Sequence, residues 1–170
     1  MNIGRRLIIF ILYAIGSIFY WFHRYYRGIK YFKKALEFGR GDLRFGIHNY
    51  YVGLGYYKLR RFADAITYFE EYMKKKKGAK NALLRAAVCY DNLAVKLPLD
   101  STDRKKLLER ARALVNEVVL FNSENALLYA ILGTIEKHRG ELVSAKAHFL
   151  KALALDPNCK VAKEHMCDLL

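Results

Sequence analysis

The residues best equipped for chemistry stand near the C-terminus, where "CKVAKEHMC" gathers Cys159, His165 and Cys167. A structural zinc centre takes four ligands, commonly as two tight pairs, and no fourth ligand stands nearby. The third thiol, Cys89, is far off in sequence. Three scattered cysteines form no disulfide framework and suit a reducing compartment. Their expected role is that of small buried helix residues. His23, His48, His138 and His148 are equally dispersed. The chain has no HExxH, GxSxG, P-loop or GxGxxG. No catalytic residue, metal ligand or cofactor is assigned, and the chain is read as a non-enzyme.

A second stretch has chemistry of another kind. Residues 19–38, "FYWFHRYYRGIKYFKKALEF", interleave aromatic rings with Lys, Arg and His. The pattern suits a nucleic-acid surface, the water-side end of a membrane helix, or the core face of an ordinary helix. Charge helps to choose. The net charge is +14, but residues 1–80 hold 17 Lys+Arg against 5 Asp+Glu, and residues 81–170 hold 13 against 11. The excess is an N-terminal property and points to a negatively charged neighbour, lipid or nucleic acid.

What precedes the stretch is apolar. Residues 7–22 are sixteen uncharged positions between Arg6 and Arg24. As a helix they span about 24 Å, short of a hydrocarbon core of about 30 Å but within reach of it. Tyr20, Trp21, Tyr25 and Tyr26 suit an interfacial belt, while Arg5, Arg6 and Arg24 can snorkel. A cleaved signal peptide is weighed on "AIGS", where cleavage leaves a hydrophobic region at the low edge of length. A core helix would carry a polar face, and this segment has none. The expectation is a single-pass anchor, with lipid also held by the basic segment that follows. The heavier positive side, with Arg24, Arg27, Lys30, Lys33, Lys34 and Arg40, places the rest of the chain in the cytosol. Cys159 is the thiol expected to report that side to an impermeant reagent.

The remainder repeats itself. In "ALLYAILGTIEKHRGELVSAKAHFLKALALDPN", residues 126–158, stand Tyr129, Leu132, Gly133, Gly140, Ala145, Phe149, Ala152 and Pro157. This resembles the tetratricopeptide repeat, a helix–turn–helix unit of 34 residues. Glu136 stands where that pattern has an aromatic. Gly133 and Ala145 let two backbones approach, Phe149 and Ala152 share an inward face, and Pro157 stops the second helix. A second copy carries Gly53, Tyr56, Ala65 and Phe69, with Tyr72 and Lys77 at the closing Ala and Pro places. A third is degraded: Ala87, Ala111, Val115 and Val118 align only across twelve extra residues around Pro98. The insertion is read as a tolerated surface loop, with a partner-contacting loop as the alternative. "RGIKYFKKALEF" matches the second half of a repeat through Gly28, Phe32 and Ala35, and "GRGD" breaks the helix after it.

The resemblance implies an all-α fold, a right-handed solenoid of antiparallel helix pairs. Its expected parts are an anchor helix at 1–24, a half-repeat helix and loop at 25–45, repeats at 46–78, 79–124 and 125–159, and a capping helix at 160–170. Such arrays work through a concave face lined by first helices. Alignment assigns that face to Tyr50, Leu54 and Tyr57, then Leu84, Val88 and Asp91, then Ala130, Thr134 and Lys137. Some members hold a C-terminal carboxylate with a Lys and Asn clamp, where this chain has Tyr50 and Leu54. An aromatic and aliphatic face suits a partner helix or an extended apolar peptide instead. The alternative is that these side chains pack internally or are covered by the chain's own tail. The leading expectation is a membrane-anchored adaptor. Its rival is a structural or assembly subunit of a membrane complex. Nucleic-acid binding ranks last, since the charge sits beside the apolar segment and no RNA or DNA motif is present.

Overall fold

The computed structural model describes residues 3–39, 46–76 and 78–168. Among them are nine α-helices: α1 Ile3–Trp21, α2 Tyr25–Phe38, α3 Ile47–Lys58, α4 Phe62–Lys75, α5 Lys80–Ala94, α6 Thr102–Val119, α7 Ala126–Arg139, α8 Leu142–Leu155 and α9 Lys160–Cys167. The break expected at "GRGD" begins at Gly39, which follows α2. Its continuation through residues 40–45 and the closing position at Lys77 lie outside the described residues. The chain divides into two compact units, residues 1–89 and 90–170.

In the first unit, α1 packs on α2, α2 on α3, and α3 on α4. In the second, α6 packs on α7, α7 on α8, and α9 on both α7 and α8. One contact recurs in three hairpins. A Cβ placed on Gly16 would lie 2.9 Å from the Phe32 ring, one on Gly53 2.8 Å from Phe69, and one on Gly133 2.6 Å from Phe149. Each ring follows its glycine by sixteen positions and is fully buried. The turns match as well. His23, Arg60 and Gly140 all adopt the left-handed conformation, at φ 56°, 58° and 86°. After each, an amide reaches back five residues: Arg24 to the Phe19 carbonyl at 2.8 Å, Arg61 to Tyr56 at 2.9 Å and Glu141 to Glu136 at 2.9 Å.

The half-repeat helix α2 therefore has a partner, and that partner is α1. The apolar segment supplies the first helix of a hairpin built like the two clear repeats. Its inner side carries Ile9, Tyr13, Gly16 and Tyr20, spaced four, three and four, one face of a helix. Tyr20 was expected in an interfacial belt. It is instead a packing residue, because Gly28 and Gly55 leave room for its ring and hydroxyl, and the hydroxyl donates to the Tyr51 carbonyl. The Tyr13 hydroxyl donates to the Tyr51 hydroxyl at 2.9 Å.

The second unit explains two sequence irregularities. Glu136 replaces an aromatic because it is a buried ion-pair partner. Its carboxylate lies 2.9 Å from Arg112 on α6 and 2.7 Å from Arg139 on its own helix. The twelve extra residues around Pro98 are divided between a seven-residue link, residues 95–101, and the helix ends that flank it. They include the end of α5 and the start of α6, where Ser101 caps the helix by accepting from the Arg104 amide.

Ordinarily Gly→Ala inside a helix gains about 1 kcal/mol. Gly133→Ala should instead lose about 1–3 kcal/mol, because the new methyl overlaps the Phe149 ring. Arg60→Gly should gain up to about 1 kcal/mol by relieving a left-handed arginine. Urea denaturation of the full chain reads both, and a stabilised Gly133→Ala protein would show that the ring is not seated on the glycine.

Candidate protein-binding faces

On α3, Tyr50, Leu54 and Tyr57 follow one another at spacings of four and three, so they share a face. All three are half-buried. Tyr50 packs its ring against Tyr51, Phe69 and Tyr72, at centroid distances of 5.6, 5.9 and 5.6 Å. Tyr57 lies 6.2 Å from Phe62 and carries the Arg85 guanidinium over its ring at 4.9 Å. Leu84 and Val88, four apart on α5, are also half-buried. Beside them opens a cleft of about 450 Å³ lined by Ile47, Tyr50, Tyr51, Tyr72 and Ala82, with Lys76 and Lys80 among its polar residues. Half-buried aromatics of this kind offer large rigid contact area at small entropic cost.

The expected residues of the second unit are engaged inside the chain. Asp91 accepts from His138 Nδ1 at 2.7 Å. Ala130 is buried, and Thr134 donates its hydroxyl to the Ala130 carbonyl at 3.0 Å. Lys137 reaches Asp168, just past α9, at 2.6 Å. That lysine holds the Asp168 carboxyl below its ordinary range. The pair is open to water on the Asp168 side, so solvent and salt screen it. Here the chain's own tail meets the expected face. The aromatic and aliphatic part belongs to α3 and α5.

Sequence reasoning missed Arg104. It is buried and spans three carbonyls: Ala94 at 3.3 Å, Leu97 at 3.2 Å and His138 at 3.0 Å. Two of these close α5 and follow it, and one ends α7. A fixed cation there satisfies helix-end oxygens and complements both dipoles. The only sequence signal was an arginine three positions after a helix cap, Ser101. The same segment leaves Leu99 exposed beside a cleft of about 210 Å³ lined by Arg104, Leu108, His138 and Arg139.

A third face is the outer side of α1. By length and composition α1 can cross a membrane. Leu7 is 58% exposed, Ile18 56% and Trp21 83%, on the side opposite Tyr13, Gly16 and Tyr20. Arg5, Arg6, Arg24 and Tyr26 are exposed, and Tyr25 is half-buried. Carrying α1 into lipid together with α2 would bring Lys30 and Lys34 with it, at about 2.5–3.5 kcal/mol for each charge at mid-depth. Among the described residues no group of three His, Cys, Asp or Glu is placed to hold a metal. Cys89 is buried, which pushes its thiol up to about 12, and Cys159 is buried too, so Cys167 is the exposed thiol.

The chain is similar to solved structures at low identity. MamA 41-end from Desulfovibrio magneticus RS-1 is 17% identical, with a TM-score of 0.76, over 99% of this chain and 94% of that one. That span takes in α1. A thermophilic TPR protein of Thermus thermophilus, TTC0263, is 20% identical, with a TM-score of 0.68, over 90% of this chain and 77% of that one. The first TPR of Spaghetti (RPAP3), bound to the HSP90 peptide SRMEEVD, is 19% identical, with a TM-score of 0.61, over 73% of this chain and 89% of that one. No family model and no curated protein sequence matches the chain.

Arg104→Met should cost about 2–4 kcal/mol, since three carbonyls lose a charged donor. Arg104→Lys should recover less than half, because one ammonium cannot span a planar fork's targets. Equilibrium unfolding measures both. A neutral Arg104→Met change would mean the carbonyls find other donors.

Proposed function

We propose, for a chain whose fold is that of the tetratricopeptide repeat, the role of a membrane-tethered adaptor. It recruits a protein through the α3 and α5 face. The observation that carries this reading is the run Tyr50, Leu54 and Tyr57, half-buried and crossed by Arg85. Such a surface buries an apolar helix or an extended apolar segment, with the guanidinium free to meet a carbonyl at its edge. It offers no lysine clamp for a carboxylate in those places. The HSP90 peptide of the RPAP3 structure is thus a guide to the use of the fold, not to the ligand here.

The tether is α1, with the basic residues that follow it. The repeats then stand on the cytosolic side, where the positive flank is retained. A role as a fixed subunit of a membrane complex uses the same tether and differs only in the permanence of its partner. That reading draws on the tail meeting Lys137, which leaves the second unit less open to exchange.

Crosslinking the tagged chain in its native membrane should capture a protein neighbour. Leu54→Ala with Tyr57→Ala should reduce that capture about tenfold or more, with the melting temperature kept within a few degrees. Tyr50 is left in place because it also packs on Phe69 and Tyr72. Undiminished capture by this variant would move the site elsewhere. A neighbour that survives detergent purification in fixed stoichiometry would favour the subunit. Sidedness is read at Cys167, not at buried Cys159. Labelling of Cys167 on intact cells would overturn the cytosolic placement.

A further inference from the structure

The outer side of α1 is the most apolar exposed surface of the first unit. At 100° per residue, Ile3, Leu7, Ile11, Ile18 and Trp21 fall within one stripe about 80° wide, its middle about 150° round the helix from that of Ile9, Tyr13, Gly16 and Tyr20. The five stripe residues are exposed, and the four opposite them are packed or half-packed. Most of α1 is bare, but between Ile9 and Tyr20 it keeps one face committed to α2 and α3, through the seat of Phe32 on Gly16 and the Tyr20 hydroxyl on Tyr51, a face that a lone crossing helix would give to lipid.

Charge selects what covers the stripe. Residues 1–36 contain seven Lys and Arg and no Asp or Glu, the first acid being Glu37. A second copy laid on this stripe would set two such basic segments side by side without a compensating acid. An anionic lipid surface neutralises them instead, and it accepts the exposed indole of Trp21 and ring of Phe22 at headgroup depth. The surface thus joins an apolar stripe along a helix, bases around it, and a protein face behind it.

We infer that α1 lies along the surface of an anionic bilayer, its outer stripe sunk among the acyl chains and its inner face still held by α2 and α3. The inference rests on the membrane-tether reading and specifies its geometry: in the plane, not across. The chain is then attached to one leaflet, and the hairpin α1–α2 serves at once as first repeat and as foot. Attachment depends on both apolar contact and charge, so salt weakens it by screening the bases.

Trp21 is the sole tryptophan, so fluorescence can read depth from a single place. The test uses the full chain and vesicles of phosphatidylcholine, with and without phosphatidylglycerol. Binding should be about tenfold or more tighter with the anionic lipid, and weaker at high salt. Quenching by lipids brominated at different depths is then compared for Trp21 and for Ile11→Trp in a Trp21→Phe background. An in-plane helix places both indoles at the same shallow depth. A crossing helix places position 11 near the bilayer centre; that result would overturn the in-plane inference and leave the tether standing. Absence of binding to either vesicle would overturn the tether as well. Dimerisation in solution that Ile11→Asp abolishes, with no vesicle binding, would assign the stripe to a second copy. As a control on folding, Ile18→Asp alters an exposed residue and should abolish binding while the melting temperature holds.

Discussion

A phenyl ring laid on a glycine is the contact from which the hairpins take their form. Where Phe32, Phe69 and Phe149 rest on Gly16, Gly53 and Gly133, two helices approach more closely than any side chain would allow. Close approach aligns the rest of the pair. It buries Ala35, Ala65, Ala145 and Ala152 completely, and it sets the loop so short that one residue must turn left-handed. Three turns solve that constraint with different residues. Gly140 meets it without strain, while His23 and Arg60 accept the cost of a Cβ in that conformation.

Where the ring-and-glycine contact is missing, other forces take its place. The segment from α5 to α6 has Ala87 and Val115 at the corresponding positions, and its link is longer. There the chain relies on fixed charge. Arg104 gathers three carbonyls, and Glu136 sits between Arg112 and Arg139. A buried carboxylate flanked by two guanidiniums is costly to desolvate and costly to break, so it holds α6 on α7 in one arrangement better than it adds net stability. Both units thus contain the ring-and-glycine contact, and the second adds ion pairs and an arginine-capped link to it.

Much of this was legible in the residues. The spacing of Gly133, Ala145, Phe149 and Pro157 announces a hairpin because each type answers a steric demand at a fixed offset. The same offsets mark Gly53 and Phe69, and even Gly16 and Phe32. That last pair was hidden by composition: a run of sixteen apolar residues reads as a membrane segment before it reads as half of a repeat. Hydrophobicity without a polar face gives no sign of which side packs on protein. Glu136 looked like a departure, since Arg112, one of its two arginine partners, lies on another helix and only the fold brings it near. Arg104 was hidden for the same reason. Its targets are backbone oxygens, which leave no mark in a sequence.

The order of synthesis gives the pairing of Gly16 with Phe32 a temporal side. The ring leaves the ribosome sixteen residues after the glycine it covers, a delay of about one to three seconds at usual elongation rates. During that interval α1 is greasy on every side and has no partner. A nascent chain in this state resembles the targeting segments that cellular machinery delivers to membranes. Once α2 emerges, its Ile29, Phe32 and Ala35 are buried, and Phe32 closes the side of α1 that holds Gly16, so the apolar segment gains its protein face only when the helix after it has been made.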